Sequence, residues 1–234
     1  MPMKFIQGQI ISILALLMTS IAVYAEMAKV SCVYQTTESI IHAIDKDQQH
    51  DHKVRQWYFW RAENQLEVAN AEQSLGKKWI YNGQQMVVYQ VLYHDRKFVL
   101  EFQPTDLKIL GLQSNWKMRA SLFPPEILTQ LHQQGSGKFQ EYATVNYQGN
   151  VAGHRYQVDW IPVLNLPSRV VKQLGNMIII TQLKEVYPLD KSPYKQLSSD
   201  QYDDMEYADI GDNESHPIAA QLQKDIAIGY FHLH

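Results

Sequence analysis

The chain has 234 residues, with 21 Lys and Arg against 24 Asp and Glu, a formal net charge of −3 and one cysteine. That balance excludes a general nucleic-acid or anionic-membrane surface. A lone Cys32 excludes an intramolecular disulfide framework, so the fold must stand on its hydrophobic core.

At the N terminus Lys4 is the only charge before Glu26, and an apolar run of 12 residues extends from Ile10 to Ile21. Val23-Tyr24-Ala25 then offers the small residues that a signal peptidase accepts, which predicts a secretory signal peptide over 1–25, cleaved after Ala25. The run falls short of the roughly 20 residues that cross a hydrocarbon core, so no transmembrane span is expected in the mature chain. Lipidation is not expected either, because Cys32 lies beyond the apolar run with Lys29 three positions before it. Removing 25 of 234 residues leaves 209, the size of one compact domain.

From 30 to 46 two periodicities compete. Val30, Val33, Thr37, Ile41 and Ile44 fit a helical stripe, whereas Val30, Cys32 and Tyr34 alternate as in a strand, and the β-branched content inclines the reading to strand. Trp57-Tyr58-Phe59-Trp60 is aromatic on both alternating faces, which suits a strand covered on two sides. Arg61-Ala62-Glu63-Asn64 reads as a polar turn into a return strand carrying Leu66, Val68 and Ala69. Lys78 to Tyr81, the turn Asn82-Gly83 and an aromatic, β-branched run from Met86 to Tyr93 predict a tight hairpin. His94-Asp95-Arg96 is a further turn before a strand over 97–102, which Pro104 ends because it has no amide hydrogen to give the ladder. Asp106 to Leu112 reads as a loop or helical turn.

Pro124 and Pro125 open a predicted helix through Gln134, with Ile127, Leu128 and Leu131 on one face, and Gly135-Ser136-Gly137 reads as a flexible linker. A second block of strands follows: 138–147, a turn at Gln148-Gly149-Asn150, 152–161, 168–172, a turn at Gly175-Asn176, and 177–186. Beyond Pro193 the composition turns polar and acidic, and a short amphipathic helix is predicted from His216 with Ile218, Leu222 and Ile226 on one face. No repeat at a fixed period and no low-complexity tract interrupts this order.

Three stretches carry a family likeness: the aromatic strand, turn and return strand from Trp57 to Val68; the hairpin from Trp79 to Tyr89; and the late hairpin from Leu166-Pro167 through Gly175 to Val186. Together they resemble the periplasmic lipoprotein-carrier superfamily that includes LolA, LolB and the sigma-factor regulator RseB. The resemblance implies a mainly β (α+β) fold, an antiparallel curved half-barrel sheet with one or two short covering helices. The corresponding domain map is signal peptide 1–25, half-barrel 26–198, and an acidic C-terminal segment with a short helix and tail over 199–234. It also implies a periplasmic, non-enzymatic binding or carrier protein that holds an acyl chain, a lipoprotein or another apolar ligand on its concave face. That face stays apolar and awaits a helix, a lid or an acyl chain. The cavity candidates are Trp57, Phe59, Trp60, Trp79, Tyr81, Val87 and Tyr89. Because alternate residues of a strand share a face, either Trp57 with Phe59 or Tyr58 with Trp60 would line it. The chain departs from the superfamily in its acidic tail and terminal His residues, and no single lid-locking arginine maps onto it.

Asp203, Asp204, Glu206, Asp209, Asp212 and Glu214 place six carboxylates within 12 residues. Their spacing is not that of a calcium loop, so the segment reads as solvated or as the docking site of an envelope protein partner in a stress-sensing module. His50-Asp51-His52 and His232-Leu233-His234 each offer two imidazoles, and two ligands do not close a metal site. No nucleophile turn, His-Glu-x-x-His helix, phosphate loop or paired-Cys motif occurs. His94-Asp95, Asp159 and Glu101 are residues that any chain of this length supplies, so no catalytic residue, metal or cofactor is expected.

Overall fold

The computed structural model describes residues 27–40, 53–70, 75–83, 87–112, 115–196 and 201–212. The signal peptide, both His pairs, the helix predicted from His216 and Glu214 lie outside the described residues.

The strands are β1 (Val30–Ile40), β2 (Lys53–Arg61), β3 (Gln65–Asn70), β4 (Leu75–Tyr81), β5 (Val87–Tyr93), β6 (Phe98–Phe102), β7 (His132–Phe139), β8 (Tyr142–Val151), β9 (His154–Ile161), β10 (Leu166–Leu174), β11 (Met177–Tyr187) and β12 (Asp203–Glu206). They form one open curved sheet in the order β12-β6-β5-β4-β3-β2-β1-β11-β10-β9-β8-β7. This is the mainly β, curved half-barrel sheet expected from the sequence, with three short helices in place of the one or two expected. The hairpin meanders are antiparallel, as expected, but β12 joins β6 in parallel. β1 is a strand, and it sits at the middle of the sheet, pairing β2 on one side and β11 on the other. A helical stripe at 30–40 loses to this double pairing.

Three short helices connect β6 to β7: α1 (Pro104–Ile109), α2 (Trp116–Ser121) and α3 (Pro125–Leu128). Each start has a local cause. Pro104 occupies the first turn of α1, where its missing N–H is not needed, and the Asp106 carboxylate accepts from Gln103 N at 2.8 Å. The Asn115 side chain caps α2 by accepting from Lys117 N at 3.0 Å.

Two expectations are corrected here. The helix predicted through Gln134 ends at Leu128, and Gly135-Ser136-Gly137 is part of edge strand β7, where pairing with β8 decides the conformation. The turn expected at Gln148-Gly149-Asn150 lies instead at Ala152-Gly153, whose φ of 50° and 79° suit a two-residue hairpin, so β8 runs on to Val151.

Buried side chains gather in two clusters. The larger contains Cys32, Tyr34, Phe59, Leu66, Trp79, Tyr89, Phe102, Leu107 and Ala120 among others. The smaller joins Phe123 and Leu131 to Tyr156, Val158 and Trp160, with Ile127 and Leu128 of α3 against them. The connection between β6 and β7 therefore supplies apolar residues to both clusters.

Candidate functional site

Residues paired across neighbouring strands share a sheet face, so the register assigns each candidate. Trp57 pairs Tyr34, Phe59 pairs Cys32 and Val68, Trp79 pairs Leu66 and Tyr89, Tyr81 pairs Val87, and Tyr89 pairs Phe102. Trp57, Phe59, Trp79, Tyr81, Val87 and Tyr89 thus lie on one face, the inner one that packs with α1 and α2. Trp60 does not belong with them. It pairs Ser31 and Glu67 on the outer face, as the two-residue alternation of β2 requires once Trp57 and Phe59 point inward. Tyr58 shares that outer face and stacks on Tyr194 at 5.7 Å.

The inner rings form a continuous train. Tyr34 stacks on Trp57 with centroids 4.6 Å apart, Trp79 meets Tyr89 at 5.1 Å, and Tyr89 meets Phe102 at 5.4 Å. The cover completes it: Trp116 of α2 stacks on Tyr81 at 5.3 Å, and the Arg119 guanidinium lies 5.4 Å from the Trp79 ring centroid. Phe59 and Tyr89 are fully buried. The inner surface is therefore covered by residues of its own helices.

Arg61, read from sequence as the start of a polar turn, is fully buried. The alternation Trp57, Phe59, Arg61 already carries it to the inner face, which is the signal in the sequence that could have found it. Its side chain donates to Ala28 O at 3.1 and 2.9 Å, to Leu164 O at 2.6 Å, and to Ala120 O at the end of α2. One guanidinium thus ties the cover, the entry to β1 and the β9–β10 turn together. Burial lowers its pKa to about 10, which still leaves it charged at neutral pH.

On this face the buried Trp79 Nε1 and Tyr89 Oη have no hydrogen-bond partner among the described residues. Burial holds the Tyr89 hydroxyl protonated, well above its ordinary range. Cys32 lies in the same core, and burial pushes its thiol up to about 12.

Asp203, Asp204 and Glu206 belong to β12, where Asp203 pairs Phe98 on the inner side while Asp204 and Glu206 pair Val99 and Glu101 on the outer one, and Asp209 and Asp212 follow the strand. All five are exposed, while Met205 and Ile210 between them are buried. Glu101 bonds Gln90 and Gln103, and Asp159 bonds Asn146, so neither faces His94. Among the described residues no group of three or more His, Cys, Asp or Glu side chains could hold a metal ion.

No family model matches the chain, and no curated protein matches it. Solved structures similar to it include PNGF-II, with a TM-score of 0.41 and 9% identity over 79% of this chain and 33% of that one. The Pseudomonas aeruginosa MucA/MucB complex matches with a TM-score of 0.35 and 10% identity over 72% of this chain and 56% of that one. A putative outer membrane lipoprotein-sorting protein domain from Vibrio parahaemolyticus matches with a TM-score of 0.27 and 8% identity over 71% and 87%. The chain thus spans about a third of PNGF-II and just over half of the matched chain of the complex. These are likenesses of outline, and the chemistry is read from the chain's own residues.

Proposed function

We propose that this chain is an exported, periplasmic, non-enzymatic binding protein that holds an acyl chain or another apolar group between the inner face of β2 to β6 and its helical cover. The observation that carries this reading is the contrast between the two layers. The sheet side is a train of six large apolar residues, Trp57, Phe59, Trp79, Tyr81, Val87 and Tyr89, whereas the cover consists of helices of only 6, 6 and 4 residues. Helices this short have little stability of their own and persist through their contacts with the sheet. An acyl chain that replaces Trp116 and Ala120 against the rings substitutes one apolar contact for another, so the exchange costs little.

Titration of purified protein with a fluorescent fatty acid tests the proposal. Saturable binding that is competed by an unlabelled chain is expected, together with a change in tryptophan emission. Absence of both uptake and co-purified lipid removes the carrier reading.

A second reading, docking of an envelope protein through the acidic segment, is favoured by the five exposed carboxylates held in place by buried Met205 and Ile210. Cross-linked pull-down with Asp203, Asp204 and Glu206 changed to Asn, Asn and Gln tests it. A defined partner lost on that change supports docking, and capture that is indifferent to it does not.

A further inference from the structure

The cover and the sheet each bring an uncompensated cation to the same place. Lys77 of β4 pairs Val68 and Val91, which puts it on the inner face two residues before Trp79. Arg119 of α2 stands over the Trp79 ring. Among the described residues no carboxylate pairs with either, the ion pairs there being Lys29 with Glu63 and Arg55 with Glu38. The unpartnered Nε1 of Trp79 and Oη of Tyr89 belong to cross-strand neighbours, and Arg119 Nε also lacks a partner. Two cations and two neutral hydrogen-bond donors with no anion among them are an arrangement that a protein interior does not favour on its own. Burial, and after it the Arg119 charge, lower the Lys77 ammonium below its ordinary value.

From this arrangement we infer that Lys77, Arg119, Trp79 and Tyr89 form an oxyanion site between sheet and cover, which takes the carboxylate or phosphate head of a single-chain amphiphile while its chain lies along the inner rings. The inference rests on the acyl-binding reading above and specifies its ligand as anionic, with the head directed inward. An oxyanion there accepts from all four groups and cancels the repulsion between the two cations, and it bridges the cover to the sheet. A neutral chain gains only the apolar contacts.

Calorimetric titration of purified protein with dodecanoate, dodecyl phosphate, dodecanol and inorganic phosphate tests the site. Dodecanoate and dodecyl phosphate are expected to bind about tenfold or more tightly than dodecanol, and inorganic phosphate far more weakly than either. In the Lys77→Gln, Arg119→Gln double variant this preference closes while dodecanol affinity holds, and Arg119→Lys, which keeps the charge, retains most of it. Circular dichroism confirms that each variant is folded. Equal binding of dodecanoate and dodecanol overturns the oxyanion site and leaves the acyl-binding reading standing, whereas no binding of either overturns both. Inorganic phosphate binding as tightly as dodecyl phosphate overturns the assignment to an amphiphile.

Discussion

Arg61 shows how one side chain can organise several segments: three backbone carbonyls from distant parts of the chain, those of Ala28, Ala120 and Leu164, converge on it inside the core. Arg61→Gln leaves most of these acceptors without a donor, and a loss of roughly 3–5 kcal/mol in chemical denaturation is expected. Cys32 makes the opposite kind of residue. It is buried, with its thiol pushed up to about 12, so it should stay unreactive to a thiol reagent in the native protein and react fully once the chain is unfolded. A polar network on the outer face depends on a close approach. Gly76 leaves room where a Cβ would come within 2.9 Å of His94 Nε2 and 3.0 Å of Glu67 Oε1. There Tyr194 donates to Glu67, Gln196 Nε2 donates to Glu67 at 2.8 Å, and His94 Nδ1 meets Tyr202 Oη at 3.1 Å. Burial lowers the His94 pKa below 6.5, partly offset by the Asp95 charge, so the folded protein holds the ring neutral. The unfolded chain then takes up the proton first, and stability falls as pH drops through 6.5 towards the folded value. Buried Glu67 acts the other way. Its pKa is raised, so its contribution is lost as pH rises above 4.5. Thermal melts should show the first slope, and His94→Gln should flatten it.

Among the elements, legibility follows the source of the conformation. The β4–β5 hairpin is legible in the sequence because Asn82-Gly83 marks its turn, with Gly83 at φ 85°, but Tyr81 pairs Val87, so the connection is longer than the tight turn expected. β7 is not. His132-Gln133-Gln134-Gly135-Ser136-Gly137-Lys138 is exposed throughout, shows no apolar alternation, and becomes a strand only because β8 pairs with it. The helix α2 is too short, at 6 residues, to display a period, and only its Asn115 cap marks it. Alternation along β2 already separates Trp60 from Trp57 and Phe59, but only the register of β1 against β2 decides which pair points inward. Two predictions belong at this scale. Gly153→Ala, at φ 79° in the β8–β9 turn, is expected to lower stability by about 1 kcal/mol in denaturant titration. Asn115→Ala removes the cap of α2 and should loosen the cover by about 1 kcal/mol, seen as faster hydrogen exchange in 116–121 with the sheet unchanged.

At the scale of the whole molecule, β1 joins β2 to β6 on one side to β11 through β7 on the other, so the two strand blocks form one surface although their sequences are separated by the helical connection. That connection supplies residues to both clusters, and α2 covers the inner rings without taking part in the strand pairing. Few local signals specify such an arrangement, since the pairing of β1 with β11 links residues about 150 positions apart. The central claim is that this cover yields to an apolar guest. Hydrogen exchange read by mass spectrometry on purified protein, with and without saturating dodecanol, whose neutral head does not bridge the cover to the sheet, tests it most directly. The account predicts faster exchange in α2 on binding while β4 and β5 keep or gain protection. Binding that leaves exchange in the cover unchanged, or that protects a surface away from the inner rings, would contradict it.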